Sequence, residues 1–138
     1  MTMSNPRAFI SFDFDHNEGQ KKYFIGQSIN SRTPFNIEDW SSKSALPQNQ
    51  WERIIEDKIK RCNMVIVLVG RQMATATGVV NEIAFAKNNN IPVFGVYVDD
   101  ADVSSTLPTG LQRNRVTKWN WDNIASAIKQ MMGEGKNK

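Results

Sequence analysis

The sequence predicts an α/β fold: a flavodoxin-like, doubly wound parallel sheet of about five strands in the order 2-1-3-4-5. Three observations carry this. Met64-Val65-Ile66-Val67-Leu68-Val69 is an unbroken apolar run, the pattern of a strand covered on both faces. Ile91-Pro92-Val93-Phe94-Gly95-Val96-Tyr97-Val98 is a second such run, and the stretch between the two reads as a helix. Along the whole chain, strand-like and helix-like segments alternate over short loops, which implies βαβ crossovers. A sheet of this order binds ligands outside the carboxyl ends of strands 1 and 3, where the strand order reverses.

Taken in order, Ala8-Phe9-Ile10-Ser11-Phe12 is a compact β-prone run that ends at Asp13-Phe14-Asp15. Tyr23, Phe24, Ile25 and Ile29 then recur at loosely helical spacing over residues 16–30, with Gly26 weakening the pattern. Phe35-Asn36-Ile37-Glu38-Asp39 follows Pro34 as a short second strand, and the serine-rich residues 40–47 read as a loop. Trp51, Ile54, Ile55, Ile59 and Cys62 mark one face of a helix whose other face is charged. After the strand at Met64–Val69 comes a hydroxyl-rich loop, then a helix over residues 78–90 with Val79, Val80, Ile83, Ala84 and Ala86 available for packing. The fourth strand enters through Pro92. The next helix slot holds a loop of about a dozen residues rich in Ser, Thr and Asp, longer than compact domains usually carry. Val116-Thr117-Lys118-Trp119 is a short fifth strand, and Trp121, Ile124, Ala125, Ile128, Met131 and Met132 define an amphipathic closing helix. One domain is expected over residues 7–132, with 133–138 a polar, frayed tail.

The totals narrow the function classes. The 138 residues suffice for one core, and 40% hydrophobic with 22% charged residues is ordinary for a globular protein. No apolar run approaches a membrane span, the first residues show no secretory pattern, and the single Cys62 excludes an internal disulfide. Cytoplasmic residence is the expectation. The net charge of +3 and pI near 9.1 invite a nucleic-acid reading. However, Lys58, Lys60 and Arg61 are interleaved with Glu52, Glu56 and Asp57, as on a solvated face, and no basic stripe with aromatics appears. No specific nucleic-acid binding is expected.

Several chemistries common on such folds fail on inspection. Neither glycine-rich phosphate loop occurs. A phospho-acceptor would need an aspartate at the end of strand 3, which instead ends Val69-Gly70-Arg71, and a flavin-phosphate loop would not carry Asp13 and Asp15. His16 is the only histidine, and Cys62 reads as a small hydrophobe. Asp13, Asp15 and Asp39 could hold Mg²⁺, although strand-end acids are more often solvated; no metal is expected. Glu82 remains, on the second turn of the helix after strand 3. Helix-dipole stabilisation would account for an acid there at about 0.3–1 kcal/mol. Capping does not, because with Thr77 as N-cap the capping-box position is Val80. The placement aims Glu82 along the rim beside the strand-3 loop, and position alone leaves electrostatics and chemistry both open.

With these pieces assembled, the chain resembles a TIR-like domain of the bacterial and archaeal group that includes the sensor subunit of the Thoeris antiphage system. The resemblance runs over residues 7–98 and rests on an ordered set. It comprises Phe9-Ile10-Ser11-Phe12-Asp13-Phe14-Asp15, Ile37-Glu38-Asp39-Trp40-Ser41, Val65-Ile66-Val67-Leu68-Val69-Gly70, Thr75-Ala76-Thr77-Gly78-Val79 leading to Glu82-Ile83, and Ile91-Pro92-Val93-Phe94-Gly95-Val96. Enzymes of the TIR group cleave NAD⁺ at the nicotinamide–ribose bond with one glutamate on this helix, which the resemblance places at Glu82. NAD⁺ is then a substrate, and no cofactor is implied.

By the same resemblance, Phe12 and Asp13 would flank the nicotinamide-ribose. Asp39, Trp40 and Ser42 would lie in the loop that gates the pocket and mediates self-assembly, and Arg71 could meet the pyrophosphate. Many TIR enzymes carry Trp three residues before the glutamate; this chain has Val79, a departure that bears on substrate geometry. The implied function is an ADP-ribose-type signal in bacterial antiphage defence, passed to a separate effector. The alternative is a non-catalytic module that assembles through TIR-like surfaces. Glu82 in a pocket with Phe12 and Asp39 is the feature that would separate them.

Overall fold

A computed structural model describes residues 7–12, 19–20, 22–24, 36–38, 48–71, 77–98 and 100–134. In chain order these form β1 (Arg7–Ser11), helical residues 19–20 and 22–24 (α1), β2 (Asn36–Glu38), α2 (Gln48–Lys60) and β3 (Met64–Val69). Then follow α3 (Thr77–Asn88), β4 (Val93–Tyr97), a 3-10 turn (Arg113–Arg115), β5 (Val116–Thr117) and α4 (Trp121–Glu134). The strands form one sheet, β2-β1-β3-β4-β5, and every pairing is parallel. This is the order the alternation of segments predicts.

Strand alternation sorts the core into two layers. Phe9, Val65, Val67, Val69, Val93 and Tyr97 face α2 and α3, where Ile55, Ile59, Val79, Ile83 and Ala86 meet them. Ala8, Ile10, Met64, Ile66, Leu68, Phe94 and Val96 face the other side, packing with Phe24 of α1 and Ile124, Ile128 and Met131 of α4. All six residues of β3 are buried, as a strand covered on both faces must be. Each such side chain contributes about 1.5–3 kcal/mol of burial.

Local chemistry fixes the joints. Asn63 clasps the start of β1: its side-chain carbonyl accepts from Arg7 N at 2.9 Å, and its own N–H donates to Arg7 O at 2.7 Å. At the end of α3, Asn90 takes the left-handed conformation (φ 59°), Ile91 N–H reaches back to Ala86 O (2.8 Å) and Asn90 N–H to Lys87 O (3.2 Å). That Schellman stop turns the chain into β4. Asn120 caps α4 through its side-chain oxygen, which accepts from Asp122 N at 2.9 Å.

Three segments differ from the expectation. The helix after β3 begins and ends earlier than residues 78–90, because the Asn90 turn closes it. The fifth strand keeps only Val116–Thr117; Lys118 and Trp119 leave the ladder as Asn120 N–H bonds back to Lys118 O, and Trp119 packs on Phe24 with ring centroids 5.8 Å apart. The closing helix continues past Met132 through Gly133 and Glu134, residues whose polarity suggested a frayed tail. The reason is Arg115, whose guanidinium donates to both Glu134 carboxylate oxygens at 2.9 Å and to Val93 O at 3.0 Å. Residues 100–112 contain no helix, as the composition of that slot predicts.

Candidate active site

Among the described residues, the buried set is apolar except for Ser11 (0% exposed) and Glu82 (3%). These two, 71 positions apart, touch: Ser11 Oγ donates to Glu82 Oε1 at 2.5 Å. The geometry follows from two periodicities. Along β1, Phe9 and Ser11 share the face toward α2 and α3, while Ala8 and Ile10 share the opposite one. Along α3, Val79, Ile83 and Ala86 form the inward stripe, and Glu82 falls on it at the i+3 position from Val79. The bond therefore ties the last residue of β1 to the second turn of the helix that follows β3. That is the point where the chain's strand order reverses.

Burial is what makes this carboxyl unusual. It pushes the Glu82 pKa from 4.5 up to about 8, with the Ser11 hydroxyl pulling partly the other way. The corresponding cost of the charged form is on the order of 4–5 kcal/mol, several times what a helix dipole supplies. Glu82 is thus not an acid resting in solvent near a helix N-terminus. Nor does it lie along the rim as expected; it points inward, against the end of β1. At neutral pH the isolated site keeps Glu82 largely protonated. A cation brought against the carboxyl would favour the carboxylate.

The other expected residues are placed as follows. Phe12 is 4% exposed and packs with Ala8, Ile10 and Phe24 on the α1/α4 side, so the structure does not bring its ring beside Glu82. Arg71 is exposed, two residues beyond the end of β3. Val79, where many TIR enzymes carry Trp, is 1% exposed and belongs to the core. Cys62 is buried, its thiol donating to Lys58 O at 3.3 Å, which fits a packing role. Asp13, Asp15, His16, Asp39, Trp40 and Ser42 lie outside the described residues. Sequence reasoning missed the role of Ser11. The available signal was a hydroxyl at an inward position of an otherwise apolar strand.

Residues 9–102, which run from within β1 past the end of β4 and include the Ser11–Glu82 pair, match the family described as Thoeris protein ThsB, TIR-like domain. The chain belongs to this family. No curated protein matches the sequence. Among solved structures, the SEFIR domain of IL-17 receptor B is similar to this TIR-like domain at a TM-score of 0.64. It has 9% identity, with 96% of this chain and 99% of that one covered. A prokaryotic SEFIR domain is similar at a TM-score of 0.54 and 15% identity, covering 94% and 91%. At such identities the likeness concerns the fold. In this TIR-like domain the family match spans the strand-order reversal, where Ser11 and Glu82 meet.

Proposed function

We propose that this TIR-like domain cleaves NAD⁺ at the nicotinamide–ribose bond, with Glu82 as the catalytic carboxylate, and makes an ADP-ribose-type signal in bacterial antiphage defence. The observation that carries this reading is a buried glutamate, bonded to a serine hydroxyl, at the sheet's ligand-binding edge. A core that is otherwise apolar retains this acid at a real energetic cost, and chemistry is a reason to retain it.

The reaction asks little else of the protein. The C1′–N bond breaks with its electron pair moving to the ring nitrogen, so nicotinamide leaves neutral and needs no general acid. The ribose becomes oxocarbenium-like, and a nearby carboxylate stabilises that charge. The positive nicotinamide ring, arriving against Glu82, favours loss of its proton, so the substrate itself charges the catalyst. Ser11 then holds one oxygen and orients the other. Water capturing C1′ yields ADP-ribose and a proton; an internal nucleophile yields a cyclic isomer.

In this reading Asp13 supports the ribose, Asp39, Trp40 and Ser42 close the pocket from the segment after β2, and Arg71 meets the pyrophosphate. Phe12 secures the end of β1 from the opposite face. NAD⁺ is the only small molecule required, with no cofactor or metal. The domain works in the cytoplasm, self-assembles through TIR-like surfaces, and reaches a separate effector through its product. It needs neither membrane nor nucleic acid, and no helix of the described residues is long and apolar enough to cross a membrane.

The test follows nicotinamide release from NAD⁺ by an assembled, activated sample beside Glu82→Gln. Release that disappears in the variant supports the mechanism. Release unchanged in the variant removes Glu82 from the chemistry, and no release from the active assembly leaves a non-catalytic module.

A further inference from the structure

Ser11 occupies one side of the Glu82 carboxyl, so a ligand must reach that acid from another. The helix itself indicates which. Side chains on a helix lean toward its N-terminus, so the carboxyl of Glu82, rising from the second turn of α3, lies over the first turn. The residue one turn earlier on that face, at i−4, is Gly78. The position is half-buried, yet a Cβ there would meet nothing within 4 Å beyond its chain neighbours and the backbone of its own helix. The other flanks are closed. Ser11 is 0% exposed, and Val79 and Ile83, beside Glu82 on α3, are each 1% exposed.

The fold supplies no reason of its own for this glycine. Gly95 has one: a Cβ there would come within 3.0 Å of Leu111, 3.1 Å of Val69 and 3.2 Å of Val116. Gly110 has two, a left-handed backbone (φ 96°) and Ile83 Cγ2 at 2.9 Å from the added atom. Gly78 has neither a positive φ nor a close neighbour, and glycine is a poor helix former. What the missing side chain leaves is room, and that room lies one helical turn from the only buried acid among the described residues.

We propose that Gly78 is the entry port to Glu82 and sets the bulk of the group that can stand against the carboxyl. This deepens the cleavage reading and rests on Glu82 being the acid that a ligand must reach. The nicotinamide–ribose end of the substrate passes over Gly78, and the departing base leaves the same way. A planar ring fits across bare helix backbone where a branched side chain would take its place. Residue size at position 78 is therefore a specificity determinant.

The experiment compares the parent with Gly78→Leu and with Ala84→Leu, which adds the same kind of bulk on the exposed side of α3. Its first readout needs no turnover. Dicyclohexylcarbodiimide, an apolar reagent that adds to protonated carboxyl groups, is applied near neutral pH, below the Glu82 pKa of about 8, and modification of Glu82 is followed by peptide mass spectrometry. Labelling should match the parent in Ala84→Leu and slow at least about tenfold in Gly78→Leu, with the urea midpoint of Gly78→Leu no lower than the parent's. Should that midpoint fall, Gly78→Met, with a flexible side chain of similar bulk, reads the same block. The second readout is nicotinamide release by an assembled, activated sample. Gly78→Leu should lose at least about tenfold in kcat/KM, mostly as a rise in KM, and lose less with an NAD⁺ analogue carrying unsubstituted pyridine. Equal labelling of the parent and both bulky variants, or no labelling of Glu82 in the folded parent, would overturn the port. Equal labelling with release abolished in Glu82→Gln removes the port and keeps the mechanism. Blocked labelling with release that survives Glu82→Gln keeps the port and removes the mechanism.

Discussion

The two ends of the sheet's carboxyl edge handle buried polar groups in opposite ways. At the β1 end, Ser11 and Glu82 satisfy one another, and the remaining cost lies in ionisation. At the β4 end, Tyr97 and Trp119 hold polar atoms that nothing among the described residues satisfies, and the cost lies in desolvation. The first arrangement is adjusted by protons and by a cationic substrate. The second is relieved by removing the buried polar atom. The difference separates a site that stores reactivity from buried polar atoms that only cost stability.

The largest effect that can test this comparison is catalytic. If the β1 end stores reactivity, Glu82→Gln should lower NAD⁺ cleavage by at least about 10²–10³-fold, the scale of losing one preorganised electrostatic group. Single-turnover nicotinamide release is the measurement. A loss near threefold would make Glu82 a bystander and dissolve the contrast.

The next effect is on stability. Because the folded pKa of Glu82 lies above its unfolded value, the folded protein binds the extra proton between pH 4.5 and about 8. Stability from this group is fully present below about pH 4.5 and is lost as pH rises through about 8, at up to about 1.4 kcal/mol per pH unit. Glu82→Gln keeps an acceptor for Ser11 but has no proton to lose. Denaturant midpoints should match the parent near pH 4.5 and exceed it increasingly toward pH 8. Parallel curves across that range would mean the carboxyl is hydrated in solution and not buried.

Much of this was legible in the sequence, for physical reasons. β3 declares itself because a strand buried on both faces tolerates no polar residue, and its flanking helices declare themselves by 3.6-residue spacing. The inward direction of Glu82 was also readable: Val79, Glu82, Ile83 and Ala86 fall at i, i+3, i+4 and i+7. The expectation of a rim-facing acid rested on the failed capping position and the neighbouring strand-3 loop, and left this periodicity aside. Ser11 was not readable as a partner, because a hydrogen bond between positions so far apart leaves no local mark. The end of α4 escaped for a similar reason: Glu134 is held by Arg115, a long-range fork that polarity alone does not announce. Tyr97 and Trp119 read simply as residues of the fourth and fifth strands, and only the fold shows that their polar atoms are buried without partners among the described residues.

A smaller effect probes the bond itself. For the parent, kcat/KM should rise with pH through about 8 as Glu82 in the free protein ionises. Ser11→Ala removes the hydroxyl that holds that pKa down, so the rising limb should move to higher pH, at a folding cost of about 1 kcal/mol. A pH–rate profile separates this from a general loss of structure, which would lower the plateau without moving the limb. An unmoved limb would show that Ser11 packs beside Glu82 without tuning it.

The smallest effect carries the opposite sign, which is why it sharpens the comparison most. Removing the Ser11 hydroxyl should destabilise, because it orphans a partner. Removing the Tyr97 hydroxyl should stabilise by about 0.5–1.5 kcal/mol, because it removes a buried group that has none. Urea unfolding of Tyr97→Phe reads this directly. Should the variant be less stable, the hydroxyl has an internal partner, and the two ends of the edge are alike.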